Sequence, residues 1–114
     1  MATKTTAEVL QHHGQAIGSG NVDMIMQDYT KDSVLYTPTA TYKGLDSLKA
    51  GFTTISKMFT PDVMAAFKTI KQEINGEYAY MLWSAPPSIP LAGDTFHVHN
   101  GKILMQSVIF QAGR

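Results

Sequence analysis

The chain has 114 residues, nine Lys and Arg against nine Asp and Glu, and no cysteine. That length fits one domain, 1–114, with a modest core. Neutral charge argues against a nucleic-acid partner, which needs a cationic surface, and the lack of cysteine excludes disulfides and thiolate chemistry. In chain order, the opening MATKTTAEVL carries no apolar run ahead of a cleavage site. No later stretch is long enough to cross a bilayer, so a cytoplasmic protein without membrane contact is expected. Thr5 and Glu8 have the spacing of a capping box. The helix they open runs to about Ile17, with Val9, Leu10, His13, Ala16 and Ile17 as its apolar stripe. His12 points about 100° away from that stripe, toward solvent. Gly18-Ser19-Gly20 is a helix end, not a phosphate loop. Asn21 caps a second helix whose inward face carries Val22, Ile25, Met26 and Tyr29. A strand follows from Ser33 to Thr37, closed by Pro38, then a loop or short extended piece over Thr39 to Lys43. After Gly44 a third helix covers about Leu45 to Met58, buries Leu48, Phe52 and Ile55, and stops at Thr60-Pro61-Asp62.

The rest reads as two hairpins. Strands from about Ala66 to Ile74 and from Tyr78 to Ala85 flank Asn75-Gly76. After a stiff Pro86 to Pro90 loop, strands from Asp94 to His99 and from Lys102 to Phe110 flank Asn100-Gly101. Two-residue turns set the registers. Val98 then opposes Ile103, Phe96 opposes Met105, and Asp94 opposes Ser107, so Ile103, Met105, Ser107 and Ile109 share one face. In the first hairpin Ile70, Ile74, Ala79, Met81 and Trp83 share a face, and Phe67, Tyr78, Tyr80 and Leu82 take the other. Both faces are apolar, so both need cover, and a second subunit against the outer sheet face is the expected cover. Tyr36 alternates with Thr37 and faces away from the inner side. Glu73 and Glu77, beside the turn, read as solvated.

Asn21-Val22-Asp23 with Tyr29 and Asp32-Ser33-Val34, Tyr42-Lys43-Gly44 with Leu48 and Phe52, Trp83 in a middle strand, and Asp94, Phe96, Val98 before Gly101-Lys102-Ile103 together resemble the nuclear transport factor two-like superfamily. Within it they resemble the SnoaL-like polyketide cyclases and ketosteroid isomerases, over nearly the whole chain. The resemblance implies an α+β cone: a curved antiparallel sheet packed on three N-terminal helices around a central pocket, in a homodimer formed through the outer sheet face. It implies a small apolar ligand, no cofactor, and either proton-transfer chemistry (isomerisation, cyclisation or dehydration of an apolar carbonyl compound) or a non-catalytic binding or interaction module on the same fold.

The same resemblance distributes roles. The isomerases' general base is an aspartate just before a proline. Aligned on Pro38, that position holds Thr37, whose hydroxyl does not ionise near neutrality but can orient a ligand. Counting back from Pro38, His13 falls on the isomerases' oxyanion-hole tyrosine. A histidine there serves as acid, base or donor, or is an ordinary core histidine satisfied by a carbonyl or water. Asp94 falls on the second oxyanion-hole group. Facing the cup, burial raises its pKa, so that it donates a hydrogen bond as a neutral acid or acts as a base of moderate strength; at the strand's start it sits in water. Tyr29, Thr37, Trp83, Phe96, Met105 and Ser107 would contact the ligand, Trp83 as pocket wall or as plain core. His97 and His99 share one strand face and supply two metal-type ligands without a third, so no metal is expected there and both belong to the outer face.

Overall fold

The structure, a computed structural model, describes residues 3–113. The reading of the chain start as leaderless falls partly on Met1 and Ala2, outside the described residues. The elements are α1 (Thr6–Ser19), α2 (Val22–Met26), β1 (Tyr29–Tyr36), β2 (Thr41–Lys43), α3 (Leu45–Ser56), α4 (Pro61–Ala66), β3 (Lys68–Asn75), β4 (Tyr78–Ala85), β5 (Ile89–His99) and β6 (Lys102–Gln111). Local chemistry explains the helix starts. Thr5 and Glu8 close the capping box reciprocally, with the Glu8 amide donating to Thr5 Oγ1 at 3.1 Å and the Thr5 amide to Glu8 Oε1 at 2.9 Å. Asn21 Oδ1 accepts the Met24 amide at 3.2 Å. Thr60 caps α4, so Pro61 opens a further helix instead of stopping α3. Gly44 caps α3 at φ 81°, a left-handed backbone that favours glycine.

The strands form one sheet in the order β2-β1-β6-β5-β4-β3. The expectation of an antiparallel sheet holds for every neighbouring pair but one: β1 runs parallel to β6, which makes the sheet mixed. The helices pack on its concave side. Val9 and Ala16 of α1, Ile25 of α2, and Leu48 and Phe52 of α3 close on Leu35, Ala79, Phe96, Val98 and Ile103. Each large side chain buried there stabilises the fold by roughly 2 kcal/mol. A second cluster forms where α4 meets the far end of the sheet: Val63, Trp83, Ala85, Ile89 and Ala92. Gly51 lets α3 approach the sheet closely, since a Cβ there would lie 3.0 Å from the Tyr42 ring. Among the described residues no helix is long and apolar enough to cross a membrane.

Bulges move several residues from their expected places. The register shifts between His97 and Val98, so Val98 does oppose Ile103, but His97 opposes Met105, Phe96 opposes Gln106 and Asp94 opposes Val108. Leu104 is the extra residue. Met105, Ser107 and Ile109 therefore turn outward, Ile109 to 70% exposure, while Gln106 is buried inside. In β3 a second shift leaves Ile70 out of the ladder and half exposed. Phe67, expected outside, lies inside against Trp83 with ring centroids 5.1 Å apart. The proline loop is shorter than expected: β5 already pairs at Ile89, and Pro90 sits beside a register shift, where its missing N–H is tolerated.

His12 does not face solvent. Its Nδ1 lies 2.7 Å and 2.9 Å from the two carboxylate oxygens of Asp28, which is 1% exposed. The pair ties α1 to the link between α2 and β1, and the Asp28 carbonyl accepts the Ile103 amide at 2.7 Å. His12→Ala would leave the Asp28 carboxylate buried without its imidazole. A loss on the order of 3 kcal/mol in urea unfolding is expected, and His12→Gln, which keeps a donor, should recover part of it.

Candidate functional site

The concave sheet and α1, α3 and α4 enclose a cavity of about 600 Å³, in the range that holds a drug-sized ligand. Its walls are mostly apolar: Leu10, Ile17, Phe52, Ile55, Met58, Phe59, Met64, Phe67 and Phe110 among them. His13, Thr37, Trp83, Asp94 and Phe96 line it, whereas Tyr29, Met105 and Ser107 do not. Met105 and Ser107 are on the outer face because of the Leu104 bulge. Tyr29 is not on α2 at all; it opens β1, 4% exposed, behind the cavity wall.

The deep end of the cavity is organised by Asp94, which faces the cup and is 8% exposed. Trp83 Nε1 donates to its Oδ1 at 2.8 Å, and Gln106 Nε2 donates to its Oδ2 at 2.9 Å. Burial raises the Asp94 pKa to about 6, against the two donors, which pull it down. Gln106 Oε1 in turn accepts the Tyr29 hydroxyl. Tyr29 stays protonated, because burial and the charges of Asp94 and Asp28 raise its pKa well above the usual value. His13 comes last in the chain, its Nδ1 3.5 Å from the Tyr29 oxygen. The edges of Phe96 and Phe52 surround its ring at centroid distances of 5.6 Å and 6.3 Å. Burial, aided by the neighbouring His12, lowers the His13 pKa to about 4, so the imidazole is neutral.

Trp83 is thus both wall and hydrogen-bond donor. Thr37 lies at the rim, but its hydroxyl donates to the Ala40 carbonyl at 2.9 Å and accepts the Ala40 amide at 3.0 Å, so a turn consumes it. Gln106 is the residue sequence reasoning missed. Its strand, ILMQSVIFQ, is apolar on both sides, and no alternation marks which side faces the cup. Outside the cavity, His97 Nε2 and His99 Nδ1 lie 3.0 Å and 2.7 Å from the two oxygens of Glu77. Glu77 is therefore a bridge, not merely solvated. Among the described residues no cluster of three or more His, Asp or Glu is arranged to hold a metal ion.

Known structures with this architecture are numerous. A steroid delta-isomerase from Pseudomonas aeruginosa superposes with a TM-score of 0.77 at 17% identity, over 96% of this chain and 82% of that one. An NTF2-like protein of unknown function from Cytophaga hutchinsonii gives 0.74 at 16% identity, over 97% and 95%. A putative polyketide cyclase from Sinorhizobium meliloti gives 0.71 at 16% identity, over 88% and 92%. This is a nuclear transport factor 2-like fold. No family model and no curated protein sequence matches the chain, so the nuclear transport factor 2-like likeness rests on three-dimensional shape and is one of fold.

Asp94 and His13 pull stability in opposite directions with pH. Asp94, with its folded pKa above the unfolded 3.8, contributes stability below about pH 4 that is lost as pH rises through about 6. His13, with its folded pKa below the unfolded 6.5, contributes stability above that pH that is lost as pH falls toward about 4. Each swing is on the order of 3 kcal/mol. Relative to the parent protein, His13→Gln is expected to gain in urea midpoint as pH falls through this window, and Asp94→Asn to decline. Parallel curves for both variants would contradict the assignment.

Proposed function

We propose that the chain binds a small, mostly apolar carbonyl compound in this cup and catalyses proton transfer on it, as in isomerisation, cyclisation or dehydration. The observation that carries the reading is Asp94, a carboxylate buried at the deep end of an apolar cavity, with a pKa raised to about 6. A base of that strength is ionised at neutral pH, yet takes a carbon-bound proton more readily than an ordinary aspartate. Each of its oxygens retains a lone pair beyond the one given to Trp83 or Gln106. Ionised, Asp94 acts as base and not as the neutral oxyanion donor that the isomerase resemblance implies. His13 is the second polar group at the deep end, and Trp83 and Phe96 hold the apolar body of the ligand. Solved structures of this fold that bear the names steroid delta-isomerase and putative polyketide cyclase accord with the reading.

Incubating the protein with apolar ketones in deuterated water, and following loss of α-proton signals by NMR, tests this. Exchange is expected to rise with pH and level off above about 6, the sign for a base that must be ionised. Asp94→Asn should slow it at least 100-fold (roughly 10²–10⁴ for a general base) while ligand affinity survives. Ketones that bind without exchanging would instead favour a non-catalytic ligand-binding module. One observation supports that second reading: Thr37, aligned with the isomerases' base, has its hydroxyl tied to Ala40.

A homodimer through the outer sheet face belongs to the same proposal. Tyr36, Tyr78, Tyr80 and Ile109 are 40–70% exposed, and the strand registers bring them to the side opposite the cup. Light scattering at micromolar concentration is expected to report twice the chain mass, and Ile109→Glu with Tyr80→Glu to halve it. A monomeric parent protein would remove the dimer.

A further inference from the structure

We propose that the ligand carries a hydroxyl group at its buried end, as an alcohol, phenol or enol, and that this O–H donates to Nε2 of His13. The inference rests on the ligand-binding reading above and narrows its substrate class. It follows from counting protons along the chain of side chains at the deep end of the cavity.

The ionised Asp94 has no proton to give, so the end of Gln106 that lies 2.9 Å from it must be the NH₂ group. That leaves the Gln106 oxygen toward Tyr29, and the Tyr29 hydroxyl donates to it. A tyrosine has one hydroxyl proton, and this one is now used. The Tyr29 oxygen therefore presents only lone pairs to His13 Nδ1 at 3.5 Å, and the imidazole proton resides on Nδ1. A neutral imidazole carries a single N–H, so Nε2 is bare. Neutrality is secured by burial, which lowers the pKa to about 4. His12 does not compete for these groups, because its Nδ1 is held by Asp28 on another side of α1.

Nε2 makes no hydrogen bond with any described residue, and His13 lines the cavity. The rings packed against it, Phe52 and Phe96, offer no conventional donor. Trp83 has likewise given its N–H to Asp94. Within this network the Trp83 and Tyr29 protons and one N–H of Gln106 are spent internally, and His13 Nε2 is left as an acceptor that no donor meets. A ligand carbonyl there would set lone pair against lone pair; a hydroxyl would complete the chain. Sites built around a buried polar group reject analogues that leave it unpaired.

Two measurements at neutral pH test the inference. The first is the His13 tautomer in the ligand-free protein, read from long-range nitrogen–proton NMR correlations on isotope-labelled histidine and assigned by loss of the signal in His13→Gln. Nδ1–H is expected, and Nε2–H would overturn the relay. The second is calorimetric affinity for β-naphthol and its methyl ether, which share an apolar body and differ in the donor. Preference for the naphthol of at least about tenfold is expected, shrinking in Tyr29→Phe, which frees the His13 proton to move. Equal affinities would overturn the hydroxyl inference while leaving the ligand-binding cup intact. Silence from both compounds up to millimolar concentration would count against the cup as a ligand site and take the inference with it.

Discussion

A carboxylate placed inside an apolar cup must be met by donors, and that demand organises the interior of this protein. Asp94 draws on Trp83 from one neighbouring strand and Gln106 from the other. An ionised carboxylate left unmet at that depth would cost several kcal/mol. The side chains that meet it pass the constraint outward through Tyr29 to His13 on α1. Core packing sets where the helices sit, but this polar chain sets how the rings and amides are turned.

That chain crosses the boundary between sheet and helix, and a second one fixes its far end. The His12–Asp28 pair lies beside His13 on the same helix and clamps α1 against the strand that supplies Tyr29. Adjacent histidines thus do different work. One meets a buried carboxylate with a ring nitrogen, and the other stays neutral amid aromatic edges. Their separation by about 100° on the helix sends them to different surroundings, and burial does the rest.

Much of the fold was legible because its signals are local. Capping residues, glycine breaks, helical stripes and Asn-Gly turns each act over a few neighbours, and the order of helices and strands followed from them. The inward placement of His13 and Asp94 was legible too, one from its place on an apolar stripe and one from its alternation with Phe96 and Val98. What escaped was non-local. The parallel pairing of β1 with β6 depends on elements far apart in the chain. The outward turn of Met105 and Ser107, and the inward turn of Gln106, depend on one unpaired residue in a strand whose two sides are equally apolar. Tyr29 was placed on a helix that ends three residues sooner, at Met26, since a short helix entering a strand has no sharp boundary signal. His12 was assigned to water because its partner Asp28 lies across a turn that periodicity does not see.

The extra residue at Leu104 decides which side chains line the cup. Loss of Leu104 would remove the bulge and leave the faces as they are, whereas, were Leu104 taken into the ladder opposite His97, simple alternation would send Gln106, Val108 and Phe110 to the outside and bring Met105, Ser107 and Ile109 in. The amide that turns Asp94 and Tyr29 toward each other would vanish from the cup, with a small hydroxyl and two flexible apolar chains in its place. The same stretch of sequence therefore holds two pocket linings one step of strand register apart, and the bulge selects between them.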